Sequence, residues 1–314
     1  MSTNLLCMFP GQGSQFVGMG KDLLEQFPAQ KATFEEAEDA TKVGLRRLCL
    51  EGPESDLTLT ANTQPCILTV STAIWRVLQK ECEVKPDLFA GHSLGEYSAL
   101  VAAGRLDLTT AARLVRKRGE AMQEAVPVGV GAMAAVLNHP AEELEKLCKE
   151  LSKPDDFVAI ANYNSAAQLV VAGHKKAVDE LCKKLETLSV RFVVLQVSAP
   201  FHSKLMKKAR EVMAPLLKDA NFHSKNTKMI ANLTGKVESG YNADFLIEQI
   251  DNPVRWTQTM ETAVAAECKT YLEVGPGKVL YGLARRAVPK ESKLIDTTDI
   301  RKAIQALTST SPAS

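Results

Sequence analysis

The residues Gly91-His92-Ser93-Leu94-Gly95 fit the pattern G-x-S-x-G, which exposes a serine hydroxyl on a sharp turn between a strand and a helix. A serine held there can act as a nucleophile. The flanking glycines let neighbouring backbone pass close, and the turn itself strains the serine backbone. The Leu94 N–H then falls at a helix N-terminus, where a developing oxyanion is stabilised. Five residues alone do not separate this reading from a βα turn whose serine merely caps a helix. The context does: an apolar stretch ends at Ala90 and a helical pattern begins near Leu94.

A serine nucleophile needs a base, and histidine titrates in the right range. The chain has five histidines. His92 adjoins the serine, so its side chain is expected to point away. His139 precedes Pro140 at a helix start, His174 follows Gly173 in a turn, and His223 lies in a polar stretch. His202 remains. It follows the turn Ala199-Pro200 after a strand, at the carboxyl edge where α/β sheets assemble their sites. No Asp or Glu stands out as a third triad member, which leaves a backbone carbonyl to orient the ring.

Residues 109–125 read as an amphipathic helix with Ala111, Leu114, Val115 and Met122 on its apolar stripe. Arg118 lies at helical spacing from Leu114, Val115 and Met122, and so points inward with them. An inward guanidinium keeps its proton and needs an anion. That anion is either a carboxylate of the chain or the carboxylate of a substrate, and periodicity does not choose between them.

The elements that must carry these residues alternate short apolar runs with amphipathic helices, the pattern of α/β layers on a mostly parallel sheet. Residues 5–9, 87–90, 229–233, 270–274 and 294–296 read as its strands. The middle of the chain departs from this, with strands at 132–137, 158–161, 168–172 and 191–197 and helices at 141–151 and 175–189. The order βαββαβ is that of a ferredoxin-like unit, with a turn expected at Asn164-Ser165. The expected architecture is therefore a large α/β domain, residues 1–128 and 199–314, interrupted by a ferredoxin-like subdomain at 129–198. The tail from 308 to 314 is expected to be disordered.

Together these residues resemble the malonyl-CoA:acyl carrier protein transacylase family. Gly11-Gln12-Gly13-Ser14-Gln15, the serine elbow, the Arg118 helix, Pro200-Phe201-His202-Ser203, Asn252-Pro253-Val254-Arg255-Trp256 and Glu273-Val274-Gly275-Pro276-Gly277 occur in the family's order across residues 4–296. The resemblance implies an α/β-hydrolase-like fold with a ferredoxin-like insertion. It implies a Ser93–His202 dyad, with the histidine oriented by the main-chain carbonyl near Gln249. Backbone N–H groups of Gln12 and Leu94 would form the oxyanion hole, and Arg118 would bind the free malonyl carboxylate. Gln64, Asn162 and Met122 would line the substrate pocket. Phe201 resembles an aromatic residue of malonyl-selective relatives; its ring could crowd an α-methyl group, or simply anchor the turn. The implied reaction is ping-pong transfer of malonyl from malonyl-CoA to the phosphopantetheine thiol of acyl carrier protein, in supply of fatty acid synthesis.

Bulk properties set the remaining expectations. With 38 basic and 37 acidic residues, the net charge of +1 offers no general attraction to nucleic acid or anionic membranes. An acidic carrier protein would need a local basic patch, with Lys204, Lys207, Lys208 and Arg210, or Arg285, Arg286 and Lys290, as candidates. Seven scattered cysteines without metal-ligand spacing fit a reducing compartment. No signal segment or membrane span is evident, so a cytoplasmic monomer is expected, without metal or redox cofactor; coenzyme A enters as substrate. At 314 residues the chain is too short for the condensing and reducing domains of a large synthase, so a discrete enzyme is expected. Three rivals share parts of the pattern: a serine hydrolase, which would add an acidic triad member, another malonyl-type transferase with a different acyl acceptor or acyl group, and a non-catalytic scaffold that kept the fold.

Overall fold

The computed structural model describes residues 4–197 and 199–309. Its strands, in chain order, are β1 (Asn4–Phe9), β2 (Leu88–Gly91), β3 (Gly131–Leu137), β4 (Val158–Ser165), β5 (Gln168–His174), β6 (Phe192–Val194), β7 (Lys228–Ile230), β8 (Val237–Glu238), β9 (Cys268–Glu273) and β10 (Lys293–Asp296).

Six strands form the main sheet in the order β10-β9-β1-β2-β7-β8, parallel except where β8 turns back on β7. β1 is a continuous apolar run because both of its faces are covered. Leu5, Cys7 and Phe9 join one core, which includes Ile67 and Trp75 of the helix Thr60–Cys82. Leu6 and Met8, pointing the other way, join a second core with Trp256, Tyr271 and Leu280.

The Thr60–Cys82 helix is buried along most of its length and carries Pro65 in its interior. Proline cannot donate to the carbonyl four residues back, and the Ala61 carbonyl instead accepts from Arg116 Nη1 at 3.1 Å. Beside it runs the helix Leu108–Glu124. At Gly119 a Cβ would stand 2.6 Å from the Ala61 Cα, so only glycine permits this approach, which brings Arg118 against Gln64.

The remaining strands form an antiparallel sheet in the order β4-β5-β3-β6, the strand order of a ferredoxin-like unit. Helices Ala141–Leu151 and Lys175–Thr187 cover one face through Leu144, Cys148, Val178, Leu181 and Leu185. Met133, Ala135, Val170 and Ala172 on the opposite face pack into the main core. β4 of the antiparallel sheet is tied to the segment before the helix Trp256–Ala265, where Val254 N donates to Ala161 O at 2.9 Å and Tyr163 N donates to Val254 O at 2.9 Å.

Several expected elements change. The strand expected at 229–233 stops at Ile230, because Asn232 turns toward the serine elbow. The strand expected at 191–197 pairs only over Phe192–Val194, after which Leu195 and Val197 line a cavity. The turn expected at Asn164-Ser165 falls just after it, since β4 runs on through Ser165 with two register shifts. After His202 the chain makes a 3-10 turn, Lys204–Met206, that continues into the α-helix Lys207–Lys218. The last helix extends to Thr308, inside the tail expected to be disordered; 310–314 lie outside the described residues.

Candidate active site

The elbow is shaped by contacts between β1 and β2. His92 N donates to Phe9 O at 2.9 Å and Gly95 N donates to His92 O at 2.9 Å. A Cβ on Gly95 would overlap the Phe9 carbonyl, so the turn closes only with glycine there. Ser93 sits at φ 53°, in the left-handed region that costs a non-glycine residue of order 1 kcal/mol or more. Asn232 braces it from β7's end: its Oδ1 accepts from Ser93 N and its Nδ2 donates to Gly91 O, both at 2.6 Å.

His202 also has a left-handed backbone, φ 56°, set by the turn in which Ser203 Oγ donates to Pro200 O at 2.7 Å. Its ring is buried. Nδ1 lies 2.9 Å from Gln249 O, the carbonyl that ends the helix Ala243–Gln249. A carbonyl only accepts, so Nδ1 carries the proton and Nε2 presents a lone pair. Nε2 lies 2.7 Å from Ser93 Oγ. Burial, followed by the positive charge of Arg118, pushes the His202 pKa down to about 3. The free imidazole is therefore neutral near pH 7. Its orienting partner is a carbonyl and not a carboxylate, unlike a hydrolase triad.

Arg118 is 1% exposed. Nη1 donates to Gln64 Oε1 at 2.9 Å, while Nη2 donates to Gln249 Oε1 at 2.8 Å and to Ser93 Oγ at 3.2 Å. Among the described residues, Nε, also buried, has no hydrogen-bond partner and no carboxylate makes an ion pair with this guanidinium. The alternative of a structural ion pair is thus unsupported, and a buried cation stands open to an anion beside the serine.

These groups open on a cavity of about 440 Å³ between the elbow, the Leu108–Glu124 helix and the inner face of the antiparallel sheet. Gln12, Gln64, Leu94, Met122, Asn162 and Phe201 all line it, together with Ser93, Arg118 and His202. Leu94 immediately precedes the helix Gly95–Ala102, where N–H groups lack intrahelical acceptors. Gln12 is held by its side chain, whose Nε2 donates to Thr60 Oγ1 at 3.2 Å. His92 departs from expectation. It lines the cavity instead of pointing away, because Asn164 Oδ1 engages its Nε2 at 2.8 Å and Trp256 packs on its ring.

Sequence reasoning missed three residues here. The sequence pattern places Asn164 in a turn and Asn232 in an ordinary strand. Glu96, 0% exposed, accepts from Asn232 N at 2.9 Å and makes a short bond to Gln249 Nε2. Burial pushes its pKa up to about 7 against the lowering effect of those bonds. A signal for Glu96 existed: it stands three and four residues before the buried Ala99 and Leu100, on the inward face.

The acyl transferase domain model matches residues 7–304. A malonyl CoA-acyl carrier protein transacylase of Bacillus subtilis (strain 168) is 44% identical over 308 residues, 96% of each chain. The crystal structure of a malonyl-CoA:acyl carrier protein transacylase from Xanthomonas oryzae superposes with a TM-score of 0.94 at 38% identity, covering 98% of both chains. A type II PKS acyl-carrier protein in complex with its malonyl-transacylase superposes at 0.90 with 40% identity, covering 96% of this chain and 99% of that one. Matched along nearly its whole length by the family model, by curated relatives and by solved structures, this protein belongs to the malonyl-CoA:acyl carrier protein transacylase family of acyltransferases.

Proposed function

We propose that this acyltransferase moves malonyl from coenzyme A to acyl carrier protein by way of an ester on Ser93. His202 Nε2 takes the Ser93 proton as Oγ attacks the thioester carbonyl. The resulting oxyanion is received by the N–H groups of Gln12 and Leu94. The tetrahedral adduct collapses by breaking the C–S bond, and the histidine returns its proton to the departing coenzyme A sulfur. The phosphopantetheine thiol of the carrier then repeats these steps in reverse, releasing Ser93.

The observation that carries this reading is the Arg118 guanidinium, buried, without a carboxylate partner among the described residues, and 3.2 Å from Ser93 Oγ. Malonyl has a single methylene between its carboxylate and its thioester carbonyl. An anion clamp this close to the nucleophile suits that short reach. Binding also tunes the base. The substrate carboxylate offsets the Arg118 charge, one of the causes that hold His202 low, so the histidine becomes more basic when the correct acyl group arrives.

Gln64, Met122 and Asn162 shape the acyl pocket in this reading, and Phe201 crowds an α-methyl substituent. Exposed Lys204, Lys207 and Lys208, or Arg285, Arg286 and Lys290, would meet the acidic carrier; Arg210 is a poorer candidate, since Glu248 and Asp251 take up its charge. We take the ferredoxin-like subdomain to span 129–198, whose last residue lies outside the described set. We also take the enzyme to act as a cytoplasmic monomer serving fatty acid synthesis. No helix of the described residues is long and apolar enough to cross a membrane, and no cluster among them could hold a metal ion.

Initial rates test the mechanism. With malonyl-CoA varied at several carrier concentrations, parallel double-reciprocal lines are expected for an acyl-enzyme. Intersecting lines would mean direct transfer without a Ser93 ester.

A further inference from the structure

Glu96 is fully buried behind the elbow, and no step above uses it. Both of its carboxylate oxygens are engaged. Oε1 accepts from Asn232 N at 2.9 Å, and Oε2 accepts from Gln249 Nε2 in a short bond. The same Nε2 donates to Ser93 O at 2.9 Å, which leaves Gln249 Oε1 facing Arg118 Nη2 at 2.8 Å. The Gln249 main-chain carbonyl, 2.9 Å from His202 Nδ1, holds the base. One residue thus links the base to the guanidinium, and Glu96 grips its side chain.

An amide can face either way without changing shape, so its neighbours' hydrogen-bonding character must decide. A carboxylate only accepts. If the Gln249 amide flipped, its oxygen would oppose Glu96 Oε2 and Ser93 O, and its NH2 would oppose the guanidinium. Glu96 itself cannot turn away, because its other oxygen is tied to the Asn232 backbone and Asn232 is tied to the elbow.

We propose that Glu96 is a positioning residue: by accepting from Gln249 Nε2, it fixes the amide so that the Gln249 oxygen holds Arg118 in register with Ser93 for a malonyl carboxylate. This rests on the reading of Arg118 as the carboxylate clamp. In Glu96→Gln, one end of the new amide must still accept from Asn232 N, which turns its NH2 against the NH2 of Gln249. The Gln249 amide then flips or withdraws, and Arg118 loses its hold. Acyl groups without a free carboxylate do not use that hold.

The test compares E96Q, Q249A, the double variant and R118A with the native protein. Active sites are counted by a serine-directed fluorophosphonate, and acylation by malonyl-CoA and acetyl-CoA is measured per active site. E96Q is expected to lower the malonyl-to-acetyl ratio of kcat/KM roughly tenfold, the order expected for a hydrogen bond to a charged group. In the Q249A background the same change should add little, because both act through one amide. An unchanged ratio in E96Q, or effects that add fully in the double variant, overturns the proposal. A purely structural role would lower both acylation rates alike and leave the ratio untouched. If R118A keeps the native ratio, the clamp reading itself fails; if R118A loses it while E96Q keeps it, only the Glu96 proposal fails. Should E96Q not fold, Glu96→Asp carries the test, since its shorter chain cannot reach both Asn232 and Gln249, and an unchanged ratio overturns the proposal in the same way.

Discussion

Replacing Arg118 by alanine removes a buried charge whose hydrogen bonds go to Gln64, Gln249 and Ser93 Oγ. The two amide oxygens it leaves behind are acceptors, and they would then face the malonyl carboxylate directly. Truncating one partner of a buried, hydrogen-bonded charge pair costs about 2–5 kcal/mol. At 1.4 kcal/mol per factor of ten, kcat/KM for malonyl-CoA should fall roughly 30- to 4,000-fold. Acetyl-CoA has no carboxylate to strand, so its acylation should change far less. The assay is release of coenzyme A in a single turnover, per fluorophosphonate-reactive site, with each thioester. A collapse of malonyl selectivity to near that for acetyl supports the clamp. Equal losses for the two thioesters would refute it and reduce Arg118 to a packing element between its helix and Thr60–Cys82.

Asn232→Ala deprives Ser93 N–H and Gly91 C=O of their 2.6 Å partners, and should destabilise the fold by at least about 2 kcal/mol, read as a lower urea midpoint with slower fluorophosphonate labelling. Arg118 is among the causes that lower the His202 pKa, so Arg118→Ala should raise it toward its ordinary value; the acidic limb of the labelling rate then moves to higher pH, and a shift to lower pH would contradict this electrostatic picture. Phe201→Ala should relax discrimination against methylmalonyl-CoA by about 1–3 kcal/mol in kcat/KM ratio, since a single methyl is at stake; unchanged discrimination would leave Phe201 a turn anchor. Acylation of carrier protein should show a KM that rises with salt if a basic patch guides it, and a flat response would remove the patches named above.

Much of the site was legible because its residues announce themselves locally. The elbow is five contiguous residues between a strand and a helix, and Arg118 betrays itself by sitting on an apolar stripe. The choice of His202 came from elimination among five histidines. What the sequence withheld depends on contacts made across the chain. Asn232 is 139 residues from Ser93, and nothing near it marks a partner for the elbow. His92 was expected to point away, yet Asn164, 72 residues distant, draws its ring to the cavity wall. The Thr60–Cys82 helix escaped for another reason. Buried on most sides and rich in Thr and Ser, it has no polar face to reveal a helical period, and Pro65 argues locally against one. The strand boundaries at Ile230 and Val194 moved because side chains beyond them were recruited to the site.

The most direct test of the account is an intact mass and peptide map after incubation with malonyl-CoA alone. A malonyl ester on Ser93, absent in Ser93→Ala and discharged on adding carrier protein, is the predicted result. Steady release of coenzyme A with no adduct, or an adduct on another residue, would contradict the acyl-enzyme at the centre of the mechanism.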